Sequence, residues 1–213
     1  MGLSAAVNRW ARPRPWPAPA DLPWRQATFA VVDLEATGLD LRRDEVVSVG
    51  VVVVRGGRIT ADRWYQPVRP SRPIDPEAMK LHGLTAAELA QAPTLVDVLP
   101  ELRTRLRDTT IVAHAAWVER AFLDRALRPL GERLPDGLVD TASLARAAGL
   151  AVPDTHAPDL ETLARHLGLP VHTPHHALGD ALTTAEVLLV LATKLAAARP
   201  ALGVADLVRA SGP

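Results

Sequence analysis

The stretch EVVSVGVVVVRGGRITADRWYQP, residues 45–67, leaves this chain little freedom in how it begins to fold. Its valines alternate onto both faces of a strand, and Gly56 and Gly57 supply the positive-φ residues of a tight turn, so the chain returns on itself as a hairpin. Just before it, TFAVVDLE at residues 28–35 is a short apolar run with β-branched residues. It reads as a buried strand that ends in acids, lying beside the hairpin.

The period then changes. Residues 75–107 are expected to be helical in pieces, because LTAAELA and LVDVLPELRTRL space their apolar residues at threes and fours, and TTIVAH follows as another short buried strand. WVERAFLDRALRPLG continues on helical spacing and stops at Gly131. DLETLARHLGLP repeats that grammar, with Asp159 as cap, Leu160, Leu163, Ala164 and Leu167 as the buried stripe, and Gly168 with Pro170 as the stop. A last helix is expected from about Ala177 to Ala198, with Pro174 as a favourable residue at its opening. Strands early, one strand between helices and a long closing helix predict the α/β class: a mixed sheet of about five strands flanked by helices.

A length of 213 residues with 48% hydrophobic content suits one core, so a single globular domain is expected over residues 27–198, with a short tail over 199–213. Residues 1–26 differ in composition. They carry Pro13, Pro15, Pro17, Pro19 and Pro23 together with Trp10, Trp16 and Trp24, which describes an arm that is neither regular helix nor central strand. Indole rings gain from burial, so the arm is expected to fold back on its own domain; the rival is a partner-binding or transit segment. No cysteine is present, and neither an apolar stretch long enough to cross a membrane nor a secretory signal is expected, so the reading is a soluble cytoplasmic protein. The 24 basic and 24 acidic residues cancel; contact with nucleic acid must therefore come from a local patch of arginine.

Two places carry candidate chemistry. Asp33 and Glu35 stand two residues apart on a strand, so their carboxylates point to one side, about 6.6 Å apart along the backbone. Like charges so placed repel unless a cation sits between them, and oxygen-preferring divalent ions are the usual answer; the alternative is a solvated strand end. Near the final helix, His175 precedes Asp180 from a loop. Between these two places lies Glu119, an acid on an apolar helix, which by itself reads as a solvated face residue.

Taken in order, VVDLEATGLD, KLHGLT, IVAHAAWVERAFL and HHALGD resemble the motifs of the DEDDh exonucleases, the family of the proofreading subunit of bacterial DNA polymerase III and of ribonuclease T. The resemblance spans about residues 27–198 and implies a ribonuclease H-like fold. It implies that Asp33, Glu35 and Asp180 bind two Mg²⁺ or Mn²⁺ ions, that Glu119 is the fourth carboxylate, and that His175 is the general base, with Glu35 also serving catalysis. Asp124 and Asp140 are weaker candidates for the fourth place. The resemblance further implies that Ala36, Thr37, Gly38, Leu39, His82, His114 and Phe122 meet the substrate. The departures from the family pattern are that Ala36 replaces a threonine, Ala115 an asparagine and Val118 a common phenylalanine, and that Glu119 keeps a carboxylate with one extra methylene. The aromatic platform for the terminal base is expected to be missing or supplied by Leu39, His82 or Phe122.

The function this implies is release of nucleoside 5'-monophosphates from the 3' ends of single-stranded DNA or RNA. Two rivals differ from it: an exonuclease-like binding module without catalysis, and a dedicated polymerase subunit. The chain runs about fifteen residues past its expected last helix, shorter than the extension by which the family's proofreading subunit reaches its polymerase. A polymerase or repair partner is therefore expected to use the arm.

Overall fold

The computed structural model describes residues 13–18, 20–150 and 158–212. Its strands and helices follow in the order β1 (Arg14–Pro15), β2 (Thr28–Ala36), β3 (Val46–Arg55), β4 (Arg58–Pro67), α1 (Pro76–His82), α2 (Ala86–Leu89), α3 (Leu95–Leu106), β5 (Thr110–Ala113), α4 (Trp117–Leu127), β6 (Glu132–Arg133), β7 (Val139–Asp140), α5 (Thr141–Ala147), α6 (Leu160–His166), α7 (Ala177–Ala198) and α8 (Val204–Ala210). Five strands form a mixed sheet in the order β4-β3-β2-β5-β7. β2 runs antiparallel to β3 and parallel to β5, and β5 runs parallel to β7. β3 and β4 are the predicted hairpin, closed by Gly56 and Gly57 at φ 63° and 68°.

The alternation of β2 and β3 explains the two cores. Phe29, Val31, Val52 and Val54 point to the face covered by Ala181, Ala185, Leu188 and Leu191 of α7. Ala30, Val32, Val49 and Val51 point to the other, covered by Leu99, Leu102 and Leu106 of α3 and by Phe122, Leu123 and Leu127 of α4. Each residue step along the strand therefore switches core, which is why valine recurs without the polar positions of a half-exposed strand.

Three expectations need correction. α7 has 22 residues and is long and apolar enough to cross a membrane by length and composition; here it packs on the sheet as a core helix. It begins at Ala177 with His176 as its N-cap, so Pro174 stands outside it. Nor is it the last helix: α8 follows, and Leu202, Val204 and Leu207 join the core on the α7 side.

From Pro13 onward the described part of the arm lies on the domain. Trp16 and Trp24 are buried, one in each core. The Trp16 indole N–H donates to Glu132 at 3.0 Å, and β1 pairs with β6. Farther along, the Trp24 amide donates to the Leu202 carbonyl, and the Val204 amide to the Leu22 carbonyl, so residues 22–24 and 202–204 hold each other. Trp10 and any partner-binding role of residues 1–12 lie outside the described residues.

Candidate active site

β2 is the middle strand, and its last turn of pleat carries Asp33 and Glu35 to the face on which α7 begins. Gly50 of β3 makes the approach possible, because a Cβ there would collide with the backbone of Ala177 and Leu178. Asp180, in the first turn of α7, is thereby brought to the strand end. One ligand atom each from Asp33, Glu35 and Asp180 lie within 4.8 Å of one another.

Glu119 enters from the opposite side, on the first turn of α4. It is 4% exposed, and its Oε2 is buried without a hydrogen-bond partner among the described residues. The electrostatics of the four acids are consistent with a missing positive charge. Asp33 is pushed well above the usual carboxylate range by burial and then by the charges of Glu119, Glu35 and Asp180. Burial and the Asp180 charge push Glu35 up to about 8, and burial with the charges of Asp140 and Glu35 pushes Glu119 up to about 8. Asp180 rises to about 6, chiefly through burial. Four carboxylates that repel when ionised, one with an orphaned buried oxygen, form a donor set suited to hard divalent cations.

His175 stands at the mouth in a left-handed backbone conformation, φ 57°, and its amide donates to Asp180 Oδ2 at 2.8 Å. The side chain is about half exposed, with Nε2 3.8 Å from Glu161 Oε1. Glu161, in the first turn of α6, escaped the sequence reading because it lies fourteen residues away in a segment that otherwise shows only helical periodicity. Asp140 is no ligand of the cluster. It caps α5 and accepts the amides of Ala115 at 2.9 Å and Ala142 at 3.1 Å. Ala115 has φ 55°, a conformation that asparagine tolerates better than alanine, which gives a backbone reason for the asparagine of the family motif.

A cleft of about 700 Å³ opens beside the acids, lined by Glu35, Ala36, Gly38, Leu39, His82, Val118, Phe122 and His175. Leu39 is 92% exposed at its lip. Two expected substrate residues do not reach it with free polar atoms. Thr37 is buried; its hydroxyl donates to Asp44 at 2.8 Å and accepts the Glu45 amide at 3.0 Å. His114 has both ring nitrogens engaged, Nδ1 with Thr141 Oγ1 at 2.9 Å and Nε2 with the Pro158 carbonyl at 2.7 Å. These side chains hold the loops around the cleft in place. His82 uses Nδ1 to accept the Leu84 amide, and burial lowers its pKa, so a neutral ring faces the cleft.

This fold and carboxylate cluster define a nuclease-type site, and comparison with known proteins agrees. The exonuclease family model RNase_T matches residues 30–188, and the chain belongs to that family. It is 32% identical over 169 residues to the DNA polymerase III subunit epsilon of Aquifex aeolicus, covering 79% of this chain and 82% of that protein. It is also 34% identical over 170 residues to the PolC-type DNA polymerase III of Thermotoga maritima, of whose length the match covers only 12%. Among solved structures, exonuclease X in complex with 5' overhanging duplex DNA superposes with a TM-score of 0.67 at 27% identity, covering 86% of this chain and 99% of the other. Exonuclease I shares the fold, with a TM-score of 0.68 at 15% identity, covering 79% and 41%.

Proposed function

We propose that the protein is a 3'-5' exonuclease that hydrolyses phosphodiester bonds at the 3' ends of single-stranded DNA or RNA and releases nucleoside 5'-monophosphates. The observation that carries this reading is the convergence of Asp33, Glu35 and Asp180, with Glu119 buried behind them and lacking a partner for one oxygen among the described residues. Asp33, Glu35 and Asp180 would hold two Mg²⁺ or Mn²⁺ ions, with Glu119 completing the set. Such ions, when bound, lower the pKa of a water and offset the charge that develops on the phosphate.

The chain's own residues supply the rest. His175 takes the proton of the attacking water as the new P–O bond forms and the bond to the 3' oxygen of the preceding nucleotide breaks; that oxygen leaves with a proton from solvent. The hydrogen bond donated by the His175 amide to Asp180 holds the backbone that carries the base beside that carboxylate. Leu39, His82 and Phe122 offer apolar and aromatic surface for the terminal base, and the Ala36 and Gly38 backbone lines the same cleft.

The test uses purified full-length protein, a 5'-labelled oligonucleotide with a 3' extension, and Mn²⁺. A ladder shortening from the 3' end is expected, lost with EDTA and lost in Asp33→Asn. Absence of a ladder at any enzyme concentration, with Mn²⁺ still bound by calorimetry, would leave a binding module in place of an enzyme. Matched single-stranded DNA, single-stranded RNA and mismatched duplex then establish the preferred sugar and strandedness.

A further inference from the structure

The exposed face of α4 lies next to the cleft but takes no part in the chemistry above. At 3.6 residues per turn, Trp117, Ala121 and Asp124 fall on one stripe, and Arg128 continues it in the 3₁₀ turn Arg128–Leu130. Trp117 is 63% exposed, although the indole is the side chain with most to gain from burial. It sits one residue before Val118, which lines the cleft, so the stripe starts beside the cleft. About 16 Å further along the axis it ends among arginines. There Arg42, Arg128 and Arg133 surround a depression of about 510 Å³ that also includes Ala121 and Asp124.

The charge of this patch is positive. Arg42 and Arg128 form no ion pair among the described residues, while Arg133 pairs with Asp136. Asp124, the acid within the patch, is already engaged: its Oδ1 accepts the Leu134 amide at 2.7 Å, and Arg120 lies 3.8 Å from Oδ2. Arg125 fixes the arrangement. Its guanidinium donates to the carbonyls of Leu41 and Asp44, tying the loop that carries both Leu39 and Arg42 to α4. In a chain whose formal charge is zero, this is a local arginine patch joined to an exposed aromatic.

We infer that the outer face of α4 is a strand-binding surface, on which Trp117 stacks a base upstream of the scissile bond while Arg42 and Arg128 hold the phosphates that follow. An aromatic platform beside a positive groove is how proteins track single-stranded nucleic acid without reading its sequence, each stacked base contributing about 1–3 kcal/mol. Ala121 between them leaves the backbone of the strand free to approach the helix. The inference rests on the exonuclease reading, since it takes the bound strand to enter from the cleft.

Binding can be measured apart from cleavage. Anisotropy of fluorescein-labelled dT16 and dT3 in Ca²⁺ would be compared for the parent protein, Trp117→Ala, the double variant Arg42→Ala/Arg128→Ala, and Arg58→Ala as a distant charge control, with folding checked by circular dichroism. The expected result is a Kd for dT16 about five-fold weaker in Trp117→Ala and at least about ten-fold weaker in the double variant, with Arg58→Ala matching the parent. The slope of log Kd against log salt should also fall in the double variant, by roughly 0.7 for each phosphate that is no longer neutralised. Unchanged dT16 affinity and salt slope in the folded variants would overturn the surface. A parent that binds dT16 but makes no ladder with Mn²⁺ would overturn the proposed activity instead, and the variants would still decide the surface.

Discussion

Of the single residues, Glu119 is the most open to test. Its neighbours place it among the acids, its burial denies it water, and one oxygen has no donor among the described residues, so its carboxylate depends on a cation or a proton. Glu119→Ala is expected to reduce kcat by roughly 100-fold or more, in the range seen when one electrostatic partner of a developing charge is removed. Glu119→Asp should keep substantial activity, because the carboxylate survives and an intervening water can span the missing methylene. Steady-state cleavage of the labelled oligonucleotide separates these outcomes, and a Glu119→Ala protein as fast as the parent excludes the assignment. The site was unevenly legible in the sequence. Asp33 and Glu35 could be paired from strand period alone, but Asp180, His175 and Glu119 gained meaning only through their order along the chain. What the sequence could not show is that the side-chain polar atoms of Thr37 and His114 are satisfied by Asp44, Glu45, Thr141 and Pro158, partners brought near only by the fold.

Among the strands and helices, the site depends on how closely α7 approaches β3. Gly50 is in contact range of the Ala177 backbone without a side chain of its own, so any Cβ must push the start of the helix outward. Gly50→Ala is expected to destabilise the fold by about 1–3 kcal/mol and, by moving Asp180, to weaken Mn²⁺ binding as well. Denaturant unfolding together with a calorimetric Mn²⁺ titration checks both effects; a variant with parental midpoint and affinity would show that α7 is not held by this approach. The long elements were readable because their periods are strong: the valines of β3, the glycine turn and the stripe of α6 all appear where the pattern puts them. β7 and α8 were not. Two residues are too few to show a period, and VADLVRA gains its helix from the cap at Gly203, where Asp206 accepts the Gly203 amide, and from burial of Val204 and Leu207.

For the protein as a unit, clustering four acids beside the sheet makes stability depend on pH and on cations together. The folded-state pKa values of Glu35 and Glu119 are raised to about 8, so at pH 7 the folded chain binds protons that the unfolded chain has already released. Stability must therefore fall as pH rises, and between pH 7 and 9 the fall is governed by these groups together with Asp33, which burial and the neighbouring acids also push up. The carboxylates whose pKa is lowered, such as Asp44 and Glu132, are ionised in both states across that window and contribute no slope. His82 and His114, lowered by burial, are neutral when folded, and their unfolded counterparts are mostly neutral above pH 7. In EDTA the melting temperature is expected to drop by several degrees from pH 7 to pH 9, since about 1 kcal/mol corresponds to roughly 2–4 °C for a chain of this size. Mn²⁺ should raise it, and more at pH 9 than at pH 7, because bound cations stabilise only the folded, ionised cluster. Glu35→Gln should flatten the EDTA profile. A melting temperature in EDTA that stays level or climbs across this range would mean that the four acids do not share one repulsive site, and cations at that site would then have no electrostatic rationale.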